Sequence, residues 1–234
     1  MDKSKIIMGA MIAIGLLALG LCIKGGIDNF SNRGRQVTVR GLSERLVDAN
    51  LVTWPIVTKE LGNDLTDIYN RIQSTNQRIS KFLKDNGLEE SEFSINPPKV
   101  EDREAQSYNN EPVKQRYLVT NVIVVSSSKV DLVRSLIEKQ PELMREGIAV
   151  VAGDYQYQTE YEFTGLNDIK PAMITEATEN ARDAAQRFAA DSHSDLGKIV
   201  TASQGQFTID DRDQYTPYKK TVRVVTSITY ELKN

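Results

Sequence analysis

Two short patterns in the sequence carry side chains that catalysis could use. The only histidine, His193, stands between Ser192 and Ser194, so a hydrolase could take one serine as nucleophile and the imidazole as base. Ser126 and Lys129 match the Ser-x-x-Lys pattern of penicillin-interacting enzymes, but the companion motifs are absent. Adjacent residues on a helix turn point apart, and the helix dipole favours a histidine near a C-terminus. Both patterns therefore indicate structural roles, and an unrecognised hydrolase is a remote alternative.

The acidic run Asp210-Asp211-Arg212-Asp213 is a cluster of carboxylates that could hold a calcium ion. It lacks the glycine turn and the distal glutamate of a calcium loop, and most such runs are solvated turns. The sequence also has no zinc-ligand spacing and no glycine-rich phosphate cradle. We therefore expect no catalytic residue, no metal site and no cofactor, and we predict that the protein is not an enzyme.

Aromatic residues are the remaining candidates for ligand contact. Trp54 is the only tryptophan, and Tyr157 and Tyr161 belong to an alternating row over residues 155–164 (YQYQTEYEFT). Such a row could stack sugars or bases, but no arginine or lysine is interleaved to hold phosphates. We favour packing roles for these side chains and keep Trp54, Tyr157 and Tyr161 as a possible ligand or interface site.

Composition and charge limit the class of protein. The 234 residues are 40% hydrophobic and 26% charged, as in an ordinary globular protein, and the net charge is −3 with both signs interspersed. This balance gives no electrostatic case for a nucleic-acid partner. The single cysteine, Cys22, lies in the apolar N-terminal segment, so the rest of the chain has no thiol, which fits an oxidising compartment.

The N-terminal segment from Ile6 to Ile23 has eighteen residues without a charge. As a helix it would span about 27 Å, close to the roughly 30 Å of bilayer hydrocarbon. We predict that residues 1–24 anchor the chain in a lipid bilayer by a single pass, with the soluble domain outside the cytoplasm. A cleaved signal that leaves a periplasmic protein is one alternative, and a lipoprotein acylated at Cys22 is another.

Residues 25–35 are rich in glycine, asparagine and charge and form a predicted flexible tether. The domain of residues 36–234 follows. Its first half predicts strands at 36–41, where Gly41 ends the pattern, and at 48–57, a helix at 64–86, a strand at 92–100 broken by Pro97-Pro98, and a central strand at 115–126. Pro55 should place the second strand at an edge or give it a bulge.

The second half has a similar order after a short helix at 129–139, which a capping box of Ser128 and Asp131 should open. It predicts strands at 148–152, 155–164, 198–209 and 221–232, and a long helix at 167–190 with the stripe Ile169, Met173, Ala177, Ala181, Ala184 and Phe188. We therefore predict an α+β fold of two related ββαββ units, with antiparallel sheet, long helices packed on one face and one N-terminal transmembrane helix.

Several stretches resemble the SIMPL domain family. They are residues 37–44 (VTVRGLSE), 48–50 with 54–56, 171–190, 196–198 and 204–207. The resemblance covers nearly all of the domain and implies a bacterial cell-envelope protein with an α+β fold, periplasmic or anchored to the inner membrane. It also implies ring-like oligomers in some members and supplies no catalytic residue, because no enzymatic activity is established for the domain.

We expect a non-enzymatic, membrane-anchored envelope protein that acts as an oligomerising or protein-interaction module. Its sheet edges or helix faces would pair with copies of itself or with another envelope protein. The alternative is a periplasmic protein that binds a small molecule or peptide in a pocket near Trp54 and the tyrosine row.

Overall fold

The structure is a computed structural model that describes residues 3–32, 34–105, 113–151, 153 and 155–233. Ala152, which belongs to a predicted strand, lies outside this description. Five helices and ten strands are described: α1 (Lys3–Asn32), β1 (Gln36–Asp48), β2 (Leu51–Gly62), α2 (Leu65–Asp85), β3 (Phe93–Ile95), β4 (Lys99–Asp102), β5 (Tyr117–Ser127), α3 (Val130–Lys139), α4 (Pro141–Arg145), β6 (Val150–Val151), β7 (Glu160–Glu162), α5 (Leu166–Asp191), β8 (Asp195–Gln204), β9 (Thr208–Asp211) and β10 (Lys219–Lys233).

The described strands form two sheets. The first sheet has the order β1-β10-β8, with β9 paired to β10. The second sheet has the order β3-β5-β2-β6, with β4 paired to β5 and β7 paired to β2. The pairing of β8 with β10 is antiparallel, and so are the pairings of β2 and of β5 with their neighbours. The predicted α+β fold with antiparallel sheet is confirmed.

The chain divides into two compact units, which differ from the two halves that the sequence predicts as ββαββ units. Unit one contains residues 1–45, 168–208 and 222–234, and unit two contains residues 46–167 and 209–221. Most of β1 is therefore grouped with elements from the end of the chain, although two strands do precede each long helix in the element order. Pairing between distant strands leaves no pattern in the local sequence. The order of elements therefore could not show that β1 is grouped with the end of the chain.

Unit one is built around the small residues of α5. The helix buries Met173, Ala177, Ala181, Ala185 and Ala189, and the last three of these alanines pack with residues of β1 and β10. The predicted stripe is wrong at its C-terminal end, because Ala184 is only partly buried and Phe188 is 56% exposed. From Ala177 onward the buried residues follow in steps of four, which keeps them on one side of the helix.

Gly41 lies where β1 comes close to α5. The sequence predicts that the strand ends at this glycine. In the structure the strand continues to Asp48. A Cβ at position 41 would lie 2.9 Å from the Cβ of Ala181 and would overlap the carbonyl oxygen of Ala177. Gly41 is therefore required for close packing of the strand on the helix, and not for a turn.

Unit two contains the predicted central strand. β5 pairs along its whole length with β2, from Ser127 opposite Val52 to Tyr117 opposite Gly62. Helix α2 begins where predicted, because the carboxylate of Asp64 accepts hydrogen bonds from the backbone N–H groups of Thr66 and Asp67, at 2.7 and 3.2 Å. The predicted strand at 92–100 is divided by its two prolines into β3 and β4.

Pro55 lies in the middle of β2, which has neighbours on both sides. On one side it faces Val124 of β5. On the other side, β7 pairs with residues 51–53 and β6 with residues 57 and 58. Neither of these described strands covers Pro55, so the missing N–H of proline coincides with a gap in the sheet.

Two further features differ from prediction: the segment of residues 155–164 and the cap at the start of α3. Residues 155–164 do not form one strand, because Tyr155–Tyr157 is a 3-10 turn and only β7 is extended. The predicted capping box is also wrong, since Lys129 precedes α3 without any capping side chain. The Oγ of Ser127, not of Ser128, accepts a hydrogen bond from the backbone N–H of Lys129 at 2.9 Å.

Helix α1 extends from Lys3 to Asn32 and includes most of the predicted tether at residues 25–35, of which Arg33 lies outside the description. Among the residues that the structure describes, no helix has the combination of length and apolar character that crossing a membrane requires. The membrane anchor from Ile6 to Ile23 stays a prediction.

We expect Gly41→Ala to lower the free energy of unfolding by about 1–3 kcal/mol, because the added methyl group must displace the backbone of α5. Gly26→Ala is the control, since nothing lies within 4 Å of a Cβ built at Gly26 and alanine inside helix α1 should keep or raise the stability. Urea unfolding of the full chain, followed by circular dichroism, measures the difference. Equal stability of the two variants would contradict the close contact between β1 and α5.

Candidate functional site

Trp54 is part of the hydrophobic core of unit two. Its side chain is 3% exposed and belongs to a cluster with residues of β2, β5, α2 and α3. In β2 it stands opposite Val125, which is fully buried. An indole in this position stabilises the fold by burying a large apolar area.

The two tyrosines of the predicted site lie in different local structures. Tyr157 ends the 3-10 turn, whereas Tyr161 lies in β7 opposite Val52. Tyr155, the first residue of the predicted row, is 87% exposed. Tyr161 packs against the core, and burial raises the pKa of its hydroxyl above the ordinary value. The predicted row of tyrosines on one strand face is therefore wrong.

Tyr161 instead contacts a tyrosine from a distant part of the chain. The ring centres of Tyr161 and Tyr218 are 6.1 Å apart, and the rings meet edge to face at 68°. The guanidinium of Arg134 on α3 lies 3.6 Å from the centre of the Tyr218 ring. The Tyr218 backbone is held because its carbonyl accepts a hydrogen bond from the N–H of Ala49 at 2.8 Å.

A cavity of about 180 Å³ opens beside this stack, within unit two. Its lining residues are Asp48, Ala49, Val130, Asp131, Arg134, Tyr218 and Lys219. The four charges are paired with one another, since Arg134 lies 3.3 Å from Asp131 and Lys219 forms an ion pair with Asp48. We call this site the Arg134 pocket. Its charges balance, so it suits a small polar molecule that is neutral or carries both signs.

No sequence pattern identifies the Arg134 pocket. Arg134 and Asp131 have the spacing of an ordinary helix surface pair, and Tyr218 comes from a polar loop. Tyr161 is the one residue of the predicted site that lies next to the pocket, through its contact with Tyr218.

Glu92 is the centre of a second polar cluster. One carboxylate oxygen accepts a hydrogen bond from the Ser127 hydroxyl at 2.6 Å. The other accepts from the Lys129 ammonium at 2.8 Å and from the Glu89 backbone N–H at 2.9 Å. These three hydrogen bonds lower the pKa of Glu92 to about 2. The Glu89 N–H has the largest effect, Lys129 the next and Ser127 the third.

This cluster explains the Ser-x-x-Lys pattern. Ser126 is exposed, and Lys129 donates to Glu92. The hydrogen bond to Glu92 raises the pKa of Lys129, so its amine stays protonated at neutral pH and is unsuited to act as a general base. Through its bond to Glu92, Lys129 of this pattern therefore links the start of α3 to the segment before β3.

His193 belongs to the turn that ends α5. Its φ is 51°, a left-handed conformation that often follows a helix. The N–H of His193 donates to the carbonyl of Ala190 at 3.0 Å, and the N–H of Ser194 to that of Ala189 at 2.9 Å. The Ser192 hydroxyl also donates to the carbonyl of Ala189, at 3.0 Å. These groups complete the helix end and do not form a nucleophile–base pair.

The acidic run before β10 uses its carboxylates within the fold. Asp213 accepts a hydrogen bond from the Thr216 hydroxyl and another from Arg212, which together lower its pKa to about 2. Asp211 forms an ion pair with Lys220. Across the described part of the chain, no group of three or more His, Cys, Asp or Glu side chains could hold a metal ion.

Strand β8 has an open edge in the first sheet, because β10 is its only partner among the described strands. Residues 198–204 of β8 are all exposed, and residues 199–204 (IVTASQ) carry no charge. The N–H of Gly205 donates to Val225 of β10 at 2.8 Å. Hydrogen bonds alternate along an antiparallel pair, so the register directs the N–H of Ala202 away from β10.

These features define an α+β protein with two antiparallel sheets, an open neutral edge and one small charge-balanced pocket. The family model SIMPL, described as a protein of unknown function (DUF541), matches residues 37–230. The match covers most of the chain, so this protein belongs to the SIMPL family, as the resemblance indicated. A search of curated proteins found no match.

We expect Glu92→Gln to lower the free energy of unfolding at neutral pH by about 2 kcal/mol, a modest effect because the Glu92 side chain is still 15% exposed. The pKa of Glu92 in the folded protein, about 2, is below the ordinary 4.5. Its contribution is therefore complete above pH 4.5 and is lost as the pH falls toward 2.

Urea unfolding of wild type and variant across this pH range measures the effect, and the difference between them should shrink on acidification. Glu90→Gln is the matched control, since the Glu90 side chain is 83% exposed and, among the described residues, pairs with Lys84 alone, at 3.0 Å. A constant difference at every pH would show that Glu92 does not stabilise the fold through its charge.

Proposed function

We propose that the protein is a non-enzymatic, membrane-anchored module of the bacterial cell envelope, which assembles with copies of itself or binds another envelope protein. One observation carries the proposal: the open, uncharged edge of β8. Natural sheets usually protect a long edge with charges, prolines or cover, because exposed N–H and C=O groups pair with other strands. An edge without this protection is suited to a partner strand.

The opposite edge of the same sheet supports the assignment. β1 carries Arg40, Glu44, Arg45 and Asp48, four charges that oppose pairing with another strand. Residues 199–204 of β8 have no such charge. A sheet with one protected and one unprotected edge favours a single mode of association, which we assign to β8.

The membrane and compartment parts of the proposal rest on the sequence. The uncharged run from Ile6 to Ile23 has the length of a membrane span. The only cysteine lies within that run, so the rest of the chain suits an oxidising compartment. We place the domain in the periplasm or outside the cell, with a cleaved signal and a free periplasmic protein as the alternative.

The proposal of a non-enzymatic role is supported by how the candidate groups are used. Lys129 is bound to Glu92, and the Ser192 hydroxyl completes the end of α5. Both contacts take up the side chains that a hydrolase would need free for its substrate.

The second candidate function, a small-molecule binding protein, is favoured by the Arg134 pocket. Its 180 Å³ cavity has room for a small polar ligand, with Tyr218 as one wall. This class does not need the β8 edge. A small-molecule binding protein would therefore remain a single chain at concentrations at which an assembling module forms oligomers.

We expect the full chain in detergent to have a protein mass well above the 26.2 kDa of one chain, and Ala202→Pro to restore the single-chain mass. Proline removes the N–H of residue 202 that points away from β10, while Thr201 and Ser203 keep their places in the ladder. Ala202→Val, which retains the N–H, is the matched control and should assemble. Analytical ultracentrifugation measures the masses, and a single-chain wild type at high concentration would contradict the proposal.

For the anchor, we expect the full chain with a tag after Asn234, expressed in bacteria, to remain in the membrane fraction after a carbonate wash. The tag should be accessible to protease from outside the cytoplasmic membrane. Mass spectrometry of the purified protein distinguishes an uncleaved anchor from a cleaved signal. A protein that is released by carbonate and whose tag is accessible only from the cell interior would contradict membrane anchoring.

A further inference from the structure

A groove of about 360 Å³ lies in unit two between helix α2 and strand β3. One wall is a polar side of α2 that includes Gln73, Gln77, Lys81, Lys84 and Asp85. The other wall is Ile95 of β3, a large apolar side chain that is 49% exposed. The groove therefore combines a polar helix wall with one apolar contact, at the side of a sheet.

The edge of β3, next to this groove, carries backbone groups that do not pair with β5. β3 is an edge strand, because β5 is its only partner among the described strands. The N–H of Asn96 donates to the carbonyl of Val122 on β5 at 3.0 Å, and Ser94 stands opposite Val124 in the same register. Alternation along the pair then directs the N–H and C=O groups of Phe93 and Ile95 away from β5.

Two charges on the helix wall have no partner in the described chain. Lys81 and Asp85 stand one helix turn apart, and neither forms an ion pair with a described residue, whereas Lys84 pairs with Glu90. Asp85 is the last residue of α2, where the helix dipole disfavours a carboxylate. The groove thus has one positive and one negative charge that no described residue pairs, and its other wall belongs to an edge strand.

We propose that this groove binds an extended peptide segment of a partner protein, which adds to β3 as a further strand. The peptide backbone pairs with Phe93 and Ile95, and an apolar side chain of the peptide covers Ile95. An acidic side chain of the peptide lies near Lys81 and a basic one near Asp85. The proposal names a partner for the protein-interaction role above, but it uses a different sheet edge.

The probe is a library of random twelve-residue peptides displayed on phage and selected on the immobilised full chain. We expect selected peptides to contain β-branched residues and at least one acidic residue. Lys81→Glu should weaken binding of their synthetic versions about tenfold. Lys114→Glu is the matched control, because it makes the same change in net charge at an exposed lysine outside the groove.

The hydrogen bonds between the peptide backbone and β3 are tested by a separate measurement. Methylating the peptide nitrogens one at a time should weaken binding about tenfold at alternate positions only, because every second N–H of an added strand points to β3. The amide protons of Phe93 and Ile95 should also exchange more slowly in the complex. Selection of no peptide, equal binding to Lys81→Glu, or loss without a two-residue period would each overturn the proposal.

This result is separable from the assembly of the chain. Lys81→Glu should leave the mass in ultracentrifugation unchanged, and Ala202→Pro should leave peptide affinity unchanged. If Ala202→Pro abolishes assembly while no peptide binds, the groove is refuted and the proposed function stands. If peptides bind but the wild type is a single chain, the assembly proposal fails and the groove stands.

Discussion

The antiparallel ladder between β2 and β5 is the constraint on which unit two depends. It pairs every residue from Val52 to Gly62 with a residue of β5, without an interruption at Pro55. β3 and β4 attach to the outer side of β5, and β6 and β7 attach to β2. Both candidate ligand sites of this unit therefore take their positions from the ladder: the groove lies beside β3, and Tyr161 of β7 supports the Arg134 pocket.

The open sheet edges differ in how they discourage further pairing. β1 carries charges, and β3 is only three residues long, which limits the number of hydrogen bonds a partner can gain. β8 has neither protection over residues 199–204. A short edge beside a groove suits weak and selective contact, whereas a long neutral edge suits stable association, and we assign the two proposed interactions accordingly.

Most polar groups that could suggest chemistry are satisfied by their neighbours. Glu92 joins the segment before β3 to residues 127–129 through one carboxylate. The buried amide of Asn121 donates to Asn76 at 2.7 Å and to Thr58 at 3.2 Å. Buried groups of this kind favour one arrangement of the core, because an alternative packing would leave them unpaired. In this member of the SIMPL family, the side chains that resemble catalytic motifs complete the fold.

Local patterns predicted the elements that depend on short-range physics. The apolar run of β5 and the start of α2 near Asp64 involve residues close in sequence, and both are correctly predicted. The same reasoning failed for residues 155–164, where the alternating tyrosines follow a strand period but most of the segment has no partner strand. Periodicity shows that a segment can form a strand, but pairing decides whether it does.

The sequence by itself determined the α+β class, the family, the uncharged N-terminal run and most helix boundaries, because each follows from composition or from neighbouring residues. Only the tertiary structure decided that β1 joins the last elements of the chain, that Gly41 serves helix packing, and that Arg134 meets Tyr218. These three features join residues far apart in sequence. Such contacts are selected by the burial and pairing of the whole fold, which no local pattern contains.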